Sequence, residues 1–184
     1  DSMFLDKVDD HVSFKLPTTA DAAAMLDLID NNRQQLGERL PWAKSMMAIS
    51  DEEKFLDYGI EKRAQGDFWF AIILVDDEPA GMIGLHQFNT NHPHAEIGYW
   101  LAHHFQGRGI VTRSLSHLEQ LAFSELDLNR LEILADVRNQ KSRNVAKRCG
   151  FTQEGVLRES EFYNGAYHDM ALYSKLKSES LFSK

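Results

Sequence analysis

The first half of the chain combines a short apolar stretch with two helical patterns. Residues 11–16 (HVSFKL) predict a strand. Thr18 with Asp21 three residues later is typical of a helix start, as is Ser50 with Glu53. The apolar residues that share one helical face after the first start are Ala22, Met25, Leu26 and Ile29. After the second start they are Phe55, Leu56, Gly59 and Ile60. We therefore expect two helices, joined by an irregular segment. Trp42 in this segment is expected to be a packing anchor, and the border of a ligand site is the alternative.

The middle of the chain has the composition of strands. Residues 68–75 (FWFAIILV) are rich in β-forming residues, 76–81 (DDEPAG) predict a turn, and 82–88 (MIGLHQF) predict the second strand of a hairpin. After a loop at 89–94, residues 95–102 (AEIGYWLA) predict another strand. We expect an antiparallel meander of three strands.

Helical spacing returns after Gly109 and continues to about Leu126. Residues 131–137 (LEILADV) then alternate as in a strand, and a short helix follows that ends at Gly150. The apolar residues of the longer helix are Val111, Leu115, Leu118 and Ala122, and those of the shorter one are Val145, Ala146 and Cys149.

The C-terminal part predicts a hairpin. Two strands, at about 154–162 and 167–176, flank Asn164-Gly165, a strong signal for a two-residue turn. The predicted fold class is therefore mixed α/β, with a central, mostly antiparallel sheet of about six or seven strands and about four flanking helices.

Composition narrows the class of protein. The chain has 184 residues without an internal repeat or a linker, so we expect one domain over residues 1–184, with Asp1 and Ser2 before the first Met interpreted as a tag remnant. The longest apolar runs fall far short of a membrane span, and we find no secretory signal pattern. The single cysteine, Cys149, excludes an internal disulfide and fits a reducing cytoplasm.

The charge balance bears on binding partners. Lys and Arg total 20 against 28 Asp and Glu, a net charge of −8. This balance argues against sequence-independent binding of nucleic acid and favours cationic substrates. Homo-oligomerisation is left open.

Two glycines between a strand and a helix give the chain its most informative segment. Gly107 and Gly109 would let the backbone approach an anion at the helix N-terminus, where Gln106 and Arg108 could add contacts. A Walker loop is excluded because GxxxxGK[ST] is absent, and Thr112 breaks the GxGxxG dinucleotide pattern. A plain glycine turn is the alternative.

The string Gln106-x-x-Gly109 resembles the acetyl-coenzyme A pyrophosphate loop of the GNAT acetyltransferases, [Q/R]xxGx[G/A], with Val111 in the sixth position. Asn139, Ser142 and the pair Gly150-Phe151 are similar to the Asn-containing helix of that family. Together with 95–101 (AEIGYWL) and the C-terminal hairpin, they resemble the RimJ/RimL branch of ribosomal-protein N-terminal acetyltransferases.

The resemblance implies a coenzyme site. Strand 95–102 should splay from strand 131–137, and the pantetheine arm should lie between them. It implies that Tyr99, Trp100 and Leu101 offer backbone groups to that arm. It also implies that Gln106, Gly107, Arg108, Gly109, Ile110 and Val111 surround the pyrophosphate. Asn139 would bond the pantetheine amide, cap its helix, or do both.

Glu96 is the expected general base, because the acceptor amine arrives protonated and must lose a proton before it attacks the thioester. The alternative is a solvated or ion-paired strand glutamate, and Asp67 is a weaker candidate for the base. The resemblance places the usual acidic tyrosine at Ala146, so it offers Ser142 as the acid that protonates the thiolate. Ser142 as an ordinary first-turn helix serine is the alternative.

The histidines do not predict a metal site, because no pair has helical i, i+4 spacing. The five of the eight histidines that lie close together along the chain are His86, His92, His94, His103 and His104. We expect no metal, and we expect Cys149 to pack as a small apolar residue.

The sequence thus predicts acetyl transfer from acetyl-coenzyme A to a primary amine, foremost the N-terminal α-amine of a ribosomal protein. An α-amine has a pKa near 7.7–8.0 and a lysine-like amine near 10.4, so the α-amine is easier to deprotonate by about 3 kcal/mol. Acetylation of a polyamine, an antibiotic or an amino acid is the alternative within enzymes. Because position 146 lacks the tyrosine, a sensor that binds the coenzyme without turnover is a further alternative.

Overall fold

The computed structural model describes residues 5–86 and 91–181. Contacts along the chain cluster into two compact units, one of Asp1–Leu85 with Tyr99–Ile110 and one of His86–Gly98 with Val111–Lys184. Nothing in this division tests the prediction of a single domain, which stays a prediction.

The strands of the first unit form consecutive antiparallel pairs in the order β1-β2-β3-β4. They are β1 Leu5–Lys7, β2 Val12–Lys15, β3 Trp69–Val75 and β4 Glu78–His86. Asp76 and Asp77 connect β3 to β4 with φ of 47° and 68°. Two left-handed residues match the twist of a two-residue hairpin, so the predicted turn at 76–81 is too long. The end of the predicted strand 82–88 lies outside the described residues.

The helices of the first unit are α1 Ala22–Asp30, α2 Arg33–Gly37 and α3 Ile49–Ala64. The start signal at Thr18 is confirmed, because the Thr18 backbone N–H donates to Asp21 at 2.8 Å. The four residues predicted for the buried face of α1 are its buried residues. The start predicted at Ser50 is wrong. Asp51 instead accepts hydrogen bonds from the backbone N–H groups of Met47 and Ala48, and α3 begins one residue before Ser50.

The core of the first unit lies among the helices and β3. Trp42 packs against this core with its ring centroid 6.0 Å from that of Trp100, which confirms it as a packing anchor. Gly59 on α3 faces Phe70, and a Cβ at position 59 would lie 2.4 Å from the Phe70 ring. The close approach of helix and strand therefore requires glycine.

The strands of the second unit follow the order β5-β6-β8-β7. They are β5 His94–Leu101, whose last three residues belong to the first unit, β6 Arg130–Asp136, β7 Thr152–Tyr163 and β8 Ala166–Leu176. Asn164 and Gly165 form the β7–β8 turn with φ of 51° and 78°, which confirms the predicted hairpin. The other two pairings are antiparallel β6–β8 and parallel β5–β6.

The helices of this unit are α4 Ile110–Gln120, the first residue of which belongs to the first unit, and α5 Gln140–Arg148. The predicted helix to Leu126 ends earlier as an α-helix, because Leu121–Glu125 form a π-helical turn. Gly150 follows α5 with φ +83°, the left-handed conformation expected after a helix end.

The predicted fold class is confirmed, with small differences in the number of elements. The described residues contain eight strands and five α-helices, and the additions to the prediction are the short elements β1 and α2. Among the described residues, no helix is long and apolar enough to span a membrane.

Candidate active site

Glu96 lies on β5 beside a histidine. Its Oε2 is 3.2 Å from Nδ1 of His86, the last residue of β4. The Glu96 side chain is 14% exposed and that of His86 is 35% exposed. The Glu96 side chain is therefore not fully solvated, and it does not form an ion pair on the protein surface. A carboxylate in this position could accept a proton if its pKa is suitable.

The surroundings of Glu96 make its carboxylate a stronger base. Burial raises the pKa of Glu96 to about 7, and the negative charges of Glu161 and Glu132 add to this increase. Burial lowers the pKa of His86, so the histidine brings little positive charge to the pair at neutral pH. The 3.2 Å contact is thus better described as a carboxyl group beside a neutral imidazole than as an ion pair.

The strands β5 and β6 pair only briefly. Their parallel register covers His94–Glu96 against Arg130–Glu132, although β5 continues to Leu101 and β6 to Asp136. The expected splay is therefore confirmed, and it begins at Glu96. Beyond Glu96, the backbone groups of Ile97 and Gly98 are not paired with β6 in this register.

The side chains of β5 depart from simple alternation. Ala95 and Ile97 are buried and Glu96 and Gly98 are half-buried, as alternation predicts. Trp100 is buried as well, at 8% exposure, because it packs against Trp42. Tyr99 is half-buried and Leu101 is buried, and their contribution of backbone groups to the coenzyme stays a prediction.

The glycine loop between β5 and α4 is left-handed at both glycines. Gly107 and Gly109 have φ of +78° and +72°, and no described atom lies within 4 Å of a Cβ built at either position. The space beside both glycines is open, and Ile110 and Val111 begin the helix directly after them. These residues fit an anion at a helix N-terminus.

The polar side chains of this loop make contacts within the loop. The Gln106 amide donates to the Leu101 carbonyl oxygen at 3.1 Å. The Arg108 guanidinium donates to the His104 carbonyl oxygen at 3.1 Å and lies 5.5 Å from the Phe105 ring centroid. Gln106 and Arg108 therefore both bond to backbone carbonyl oxygens, and the Arg108 side chain is exposed.

Asn139 is the N-cap of α5. Its Oδ1 accepts the backbone N–H of Ser142 at 3.3 Å, which agrees with the capping alternative. Ser142 is half-buried on the first turn of α5, and its role as an acid stays a prediction. The position of the usual tyrosine, Ala146, is fully buried.

The turn before Asn139 is held by a buried carboxylate that sequence reasoning missed. Asp136 Oδ1 accepts the Arg138 backbone N–H at 2.8 Å, and the Asp136 carbonyl oxygen accepts that of Asn139 at 2.8 Å. Asp136 Oδ2 accepts the Tyr163 hydroxyl and lies 2.6 Å from His168 Nδ1. The β7–β8 hairpin thereby fixes the start of α5. The spacing of these residues along the chain gives no signal of their contact.

The same part of the structure encloses a cleft of about 230 Å³. Its lining residues are Asp136, Val137, Arg138, Glu159, Tyr167, His168 and Asp169. Carboxylates predominate in this lining, which suits a cationic group better than an anionic one.

Other candidates lack the chemistry of this arrangement. Among the described residues, no group of three or more His, Cys, Asp or Glu side chains could hold a metal ion. Cys149 is half-buried, and burial raises the pKa of its thiol, so it is a poor nucleophile. Asp67 is exposed on the loop before β3.

Comparison with protein families and known sequences is consistent with this geometry. Residues 11–152 match the acetyltransferase (GNAT) domain family. The chain is 39% identical to YdaF of Bacillus subtilis (strain 168), named provisionally as a ribosomal N-acetyltransferase, over 96% of this chain and 97% of that protein. It is 32% identical to the ribosomal-protein-serine acetyltransferase of Escherichia coli (strain K12), over 83% and 85% of the two chains.

Solved structures show the same fold. RimL, a ribosomal L7/L12 alpha-N-protein acetyltransferase in complex with coenzyme A, superposes with a TM-score of 0.92 and 28% identity over 96% of this chain and 99% of RimL. MccE, a microcin C7 self-immunity acetyltransferase in complex with acetyl-CoA and AMP, gives a TM-score of 0.89 and 32% identity over 92% and 94% of the two chains.

One further relative acts on a different acceptor. The spermidine N(1)-acetyltransferase of Escherichia coli (strain K12) is 31% identical over 98 residues, which is 53% of each chain.

Proposed function

The chain belongs to the GNAT acetyltransferase family and is an acetyl-CoA-dependent N-acetyltransferase, and from this premise we propose that its acceptor is the N-terminal α-amine of a ribosomal protein. The observation that carries the proposed chemistry is Glu96, a partly buried carboxyl group with a pKa of about 7 where β5 and β6 part. The names of the relatives YdaF and ribosomal-protein-serine acetyltransferase support the class of acceptor.

The chain's own residues fit acetyl-CoA. The open, left-handed glycines at 107 and 109 suit its pyrophosphate, and the backbone groups of β5 beyond Glu96 suit the amide groups of its pantetheine arm. Acetyl-CoA supplies an activated acetyl thioester. In the proposal, Asn139 and the residues Gln106–Val111 hold it, together with the backbone of Tyr99–Leu101.

Glu96 acts as the general base in this proposal. A protonated amine has no free electron pair with which to attack a thioester, so one proton must leave before the C–N bond forms. A carboxylate with a pKa near that of the donor accepts this proton far more readily than one with a pKa near 4.5. Burial and the charges of Glu132 and Glu161 provide that match.

Ser142 returns a proton to the departing thiolate, directly or as the group that orients a water molecule. Its place on the first turn of α5 is fixed by the Asn139 cap, and Asp136 fixes the turn before that cap. This arrangement gives Ser142 a defined position. Ser142 can then serve as the acid although Ala146 stands where the usual tyrosine would be.

Carboxyl groups around Glu96 and in the lining of the 230 Å³ cleft favour an amine that arrives as a cation. The carboxyl groups concerned are Glu96, Glu132, Glu161, Asp136, Glu159 and Asp169. Glu132 is bound by Arg130 at 2.8 Å, and Asp136 is bound by Tyr163 and His168. The charge that is available to a substrate therefore comes mainly from Glu161, Glu159 and Asp169. An α-amine is the easiest primary amine for a single base to deprotonate, because its own pKa lies near 7.7–8.0.

A polyamine acceptor is the second candidate. The same anionic lining and the spermidine-acetylating relative favour it. A primary amine of a polyamine has a pKa near 10.4, so Glu96 would have to remove a more tightly held proton, at an additional cost of about 3 kcal/mol at neutral pH. Membership of the acetyltransferase family argues against a sensor that binds acetyl-CoA without turnover.

An acceptor comparison tests the proposal. Initial rates of coenzyme A release are measured at pH 7 with peptides that carry the N-termini of ribosomal proteins, with the same peptides blocked at the α-amine, and with spermidine. The proposal expects turnover with at least one free peptide, loss of that turnover on blocking, and a lower kcat/KM for spermidine. A higher kcat/KM for spermidine than for every peptide contradicts it.

A further inference from the structure

His86 stands beside the proposed base and has no role in the chemistry described so far. Its Nδ1 lies 3.2 Å from Glu96 Oε2, at the edge of the range over which a proton passes directly between two groups. The imidazole is also the more exposed of the two side chains, 35% against 14%. The pair therefore links a partly enclosed carboxylate to solvent.

We propose that His86 acts through Glu96 as a proton relay, which carries the proton of the acceptor amine from the Glu96 carboxyl group to solvent. The proposal rests on the proposed function, because it needs Glu96 to be the base. It adds a route by which Glu96 returns to its ionised form after each turnover.

The proton is conserved at each step. The acceptor R–NH₃⁺ gives one proton to the Glu96 carboxylate and becomes R–NH₂. The protonated Glu96 gives that proton to the unprotonated Nδ1 of a neutral His86, and the resulting imidazolium releases its Nε2 proton to water. No oxidant or further reactant is involved, and the imidazole returns to its starting tautomer by proton exchange with solvent.

Burial and the charges that face the pair raise the pKa of Glu96, so the step to His86 is uphill and is completed when the imidazolium releases its Nε2 proton to water. Glu132 and Glu161 both act on Glu96, and Arg130 is engaged by Glu132 and Glu154 rather than by the pair. Burial lowers the pKa of His86 and so keeps the imidazole neutral between turnovers. A neutral imidazole can accept a proton, which a permanently charged one cannot.

A second contact shows that the imidazole position depends on glycine. A Cβ at Gly98, two residues after Glu96 on β5, would lie 3.0 Å from His86 Nε2. An alanine at position 98 would push the ring by a few tenths of an ångström, and a transfer distance of 3.2 Å leaves little room for that movement.

The chain offers a matched control on its surface. His11 Nδ1 lies 2.7 Å from Asp76 Oδ1, but both side chains are about two-thirds exposed, at 69% and 66%, and Asp76 raises the pKa of His11. The His11 pair is also an imidazole beside a carboxylate, but it is exposed to solvent and has no place in the proposed mechanism. Substitution of His11 should leave turnover unchanged.

The test combines kinetics with a measurement on the free protein. The variants are His86→Gln, Gly98→Ala, Glu96→Gln and the control His11→Gln, and kcat is measured in weakly buffered solution with and without added imidazole. The ¹⁵N resonances of the His86 ring are followed from pH 5 to pH 9 in the unliganded protein and in Glu96→Gln.

We expect His86→Gln to lower kcat about tenfold, with the loss largely restored by imidazole, and Gly98→Ala to give a smaller loss of the same kind. The His86 resonances should shift with the ionisation of Glu96 near pH 7, and this shift should be absent in Glu96→Gln.

A fall in kcat that imidazole does not restore, or His86 resonances that do not respond to Glu96, overturns the relay. If His86→Gln does not fold, Gly98→Ala and the resonances still decide. Full activity of Glu96→Gln would be a different result. It would exclude Glu96 as the base and so contradict the proposed function as well as the relay.

Discussion

At the scale of single residues, two buried carboxyl groups have a pKa of about 7 for one physical reason. Burial is the largest cause for both Glu96 and Glu52. They differ in what surrounds them. Glu96 lies beside an imidazole, whereas neither carboxyl oxygen of Glu52 on α3 has a hydrogen-bond partner among the described residues. The surroundings of Glu96 fit a catalytic role, whereas the surroundings of Glu52 destabilise the folded protein when Glu52 is ionised.

For Glu96, we predict that Glu96→Gln lowers kcat by about 10²–10⁴-fold at pH 7, with the affinity for acetyl-CoA nearly unchanged. In the unmodified enzyme, kcat/KM should rise with pH through about 7, because the base must be ionised and its pKa is raised to that value. The deficit of the variant should shrink as pH approaches the pKa of the amine. Steady-state rates from pH 5.5 to 9 and coenzyme titration provide the check, and full activity of the folded variant at pH 7 excludes Glu96.

For Glu52, the sign of the pH effect follows from a pKa that is raised in the folded state. Between pH 4.5 and 7 the unfolded chain loses this proton while the folded protein retains it, so stability falls as pH rises across this window. A pKa raised from 4.5 to about 7 corresponds to about 3 kcal/mol.

We therefore predict that Glu52→Gln raises the free energy of unfolding at pH 8 by about 1–3 kcal/mol and by much less at pH 4. Urea unfolding at the two pH values measures this difference, and the substitution Glu53→Gln on the same helix is the control. An equal effect at both pH values would show that ionisation of Glu52 does not limit stability.

At the scale of elements, the glycine loop 106–109 and the first turn of α4 form the proposed anion site. Gly109→Val places a branched side chain at φ +72° and in the open space beside the loop. We predict that acetyl-CoA raises the thermal midpoint of the unmodified protein more than a pantetheine analogue without phosphates does, and that this difference disappears in the variant. Gly66→Val, also at a positive φ with open space, is the control for backbone strain. Retention of the difference in Gly109→Val would place the phosphates elsewhere.

The elements also show what local sequence determines. The α1 face and the Asn164-Gly165 hairpin follow from the spacing of apolar residues and from turn chemistry, both of which act over a few residues. The observed start of α3 differs from the predicted one because Asp51 caps the helix by accepting backbone N–H groups, a role that Glu53 could fill equally well by spacing alone. β1 has only three residues, all exposed, and carries no apolar signal.

In the candidate site, too, the residues of short local motifs can be predicted from the sequence, whereas contacts between distant positions cannot. The residues Gln106–Gly109 and Asn139 could be selected from the sequence because each belongs to a short local pattern. The contacts of Glu96 with His86, and of Asp136 with Tyr163 and His168, join positions 10 to 32 residues apart. No periodicity encodes such pairs, since they depend on strand order and register.

At the scale of the whole molecule, the charge of −8 should influence how acceptors arrive. A negative protein attracts a cationic peptide or polyamine over distances of about 10 Å, and salt screens this attraction. We predict that kcat/KM for a cationic acceptor falls as ionic strength rises from about 0.02 to 0.3 M, mainly through KM. Parallel measurements with a peptide of lower positive charge provide the comparison. No difference in the salt dependence of the two acceptors would count against an anionic acceptor site.

The central claim is that this N-acetyltransferase modifies the α-amine at the N-terminus of a ribosomal protein. The most direct measurement is tandem mass spectrometry of a ribosomal-protein N-terminal peptide with a free α-amine and an internal lysine, after incubation with acetyl-CoA and either the unmodified enzyme or Glu96→Gln. The account predicts one acetyl group, on the α-amine, with the unmodified enzyme and almost none with the variant. Acetylation of the lysine in preference to the α-amine, or modification of spermidine while every such peptide stays unmodified, would contradict it.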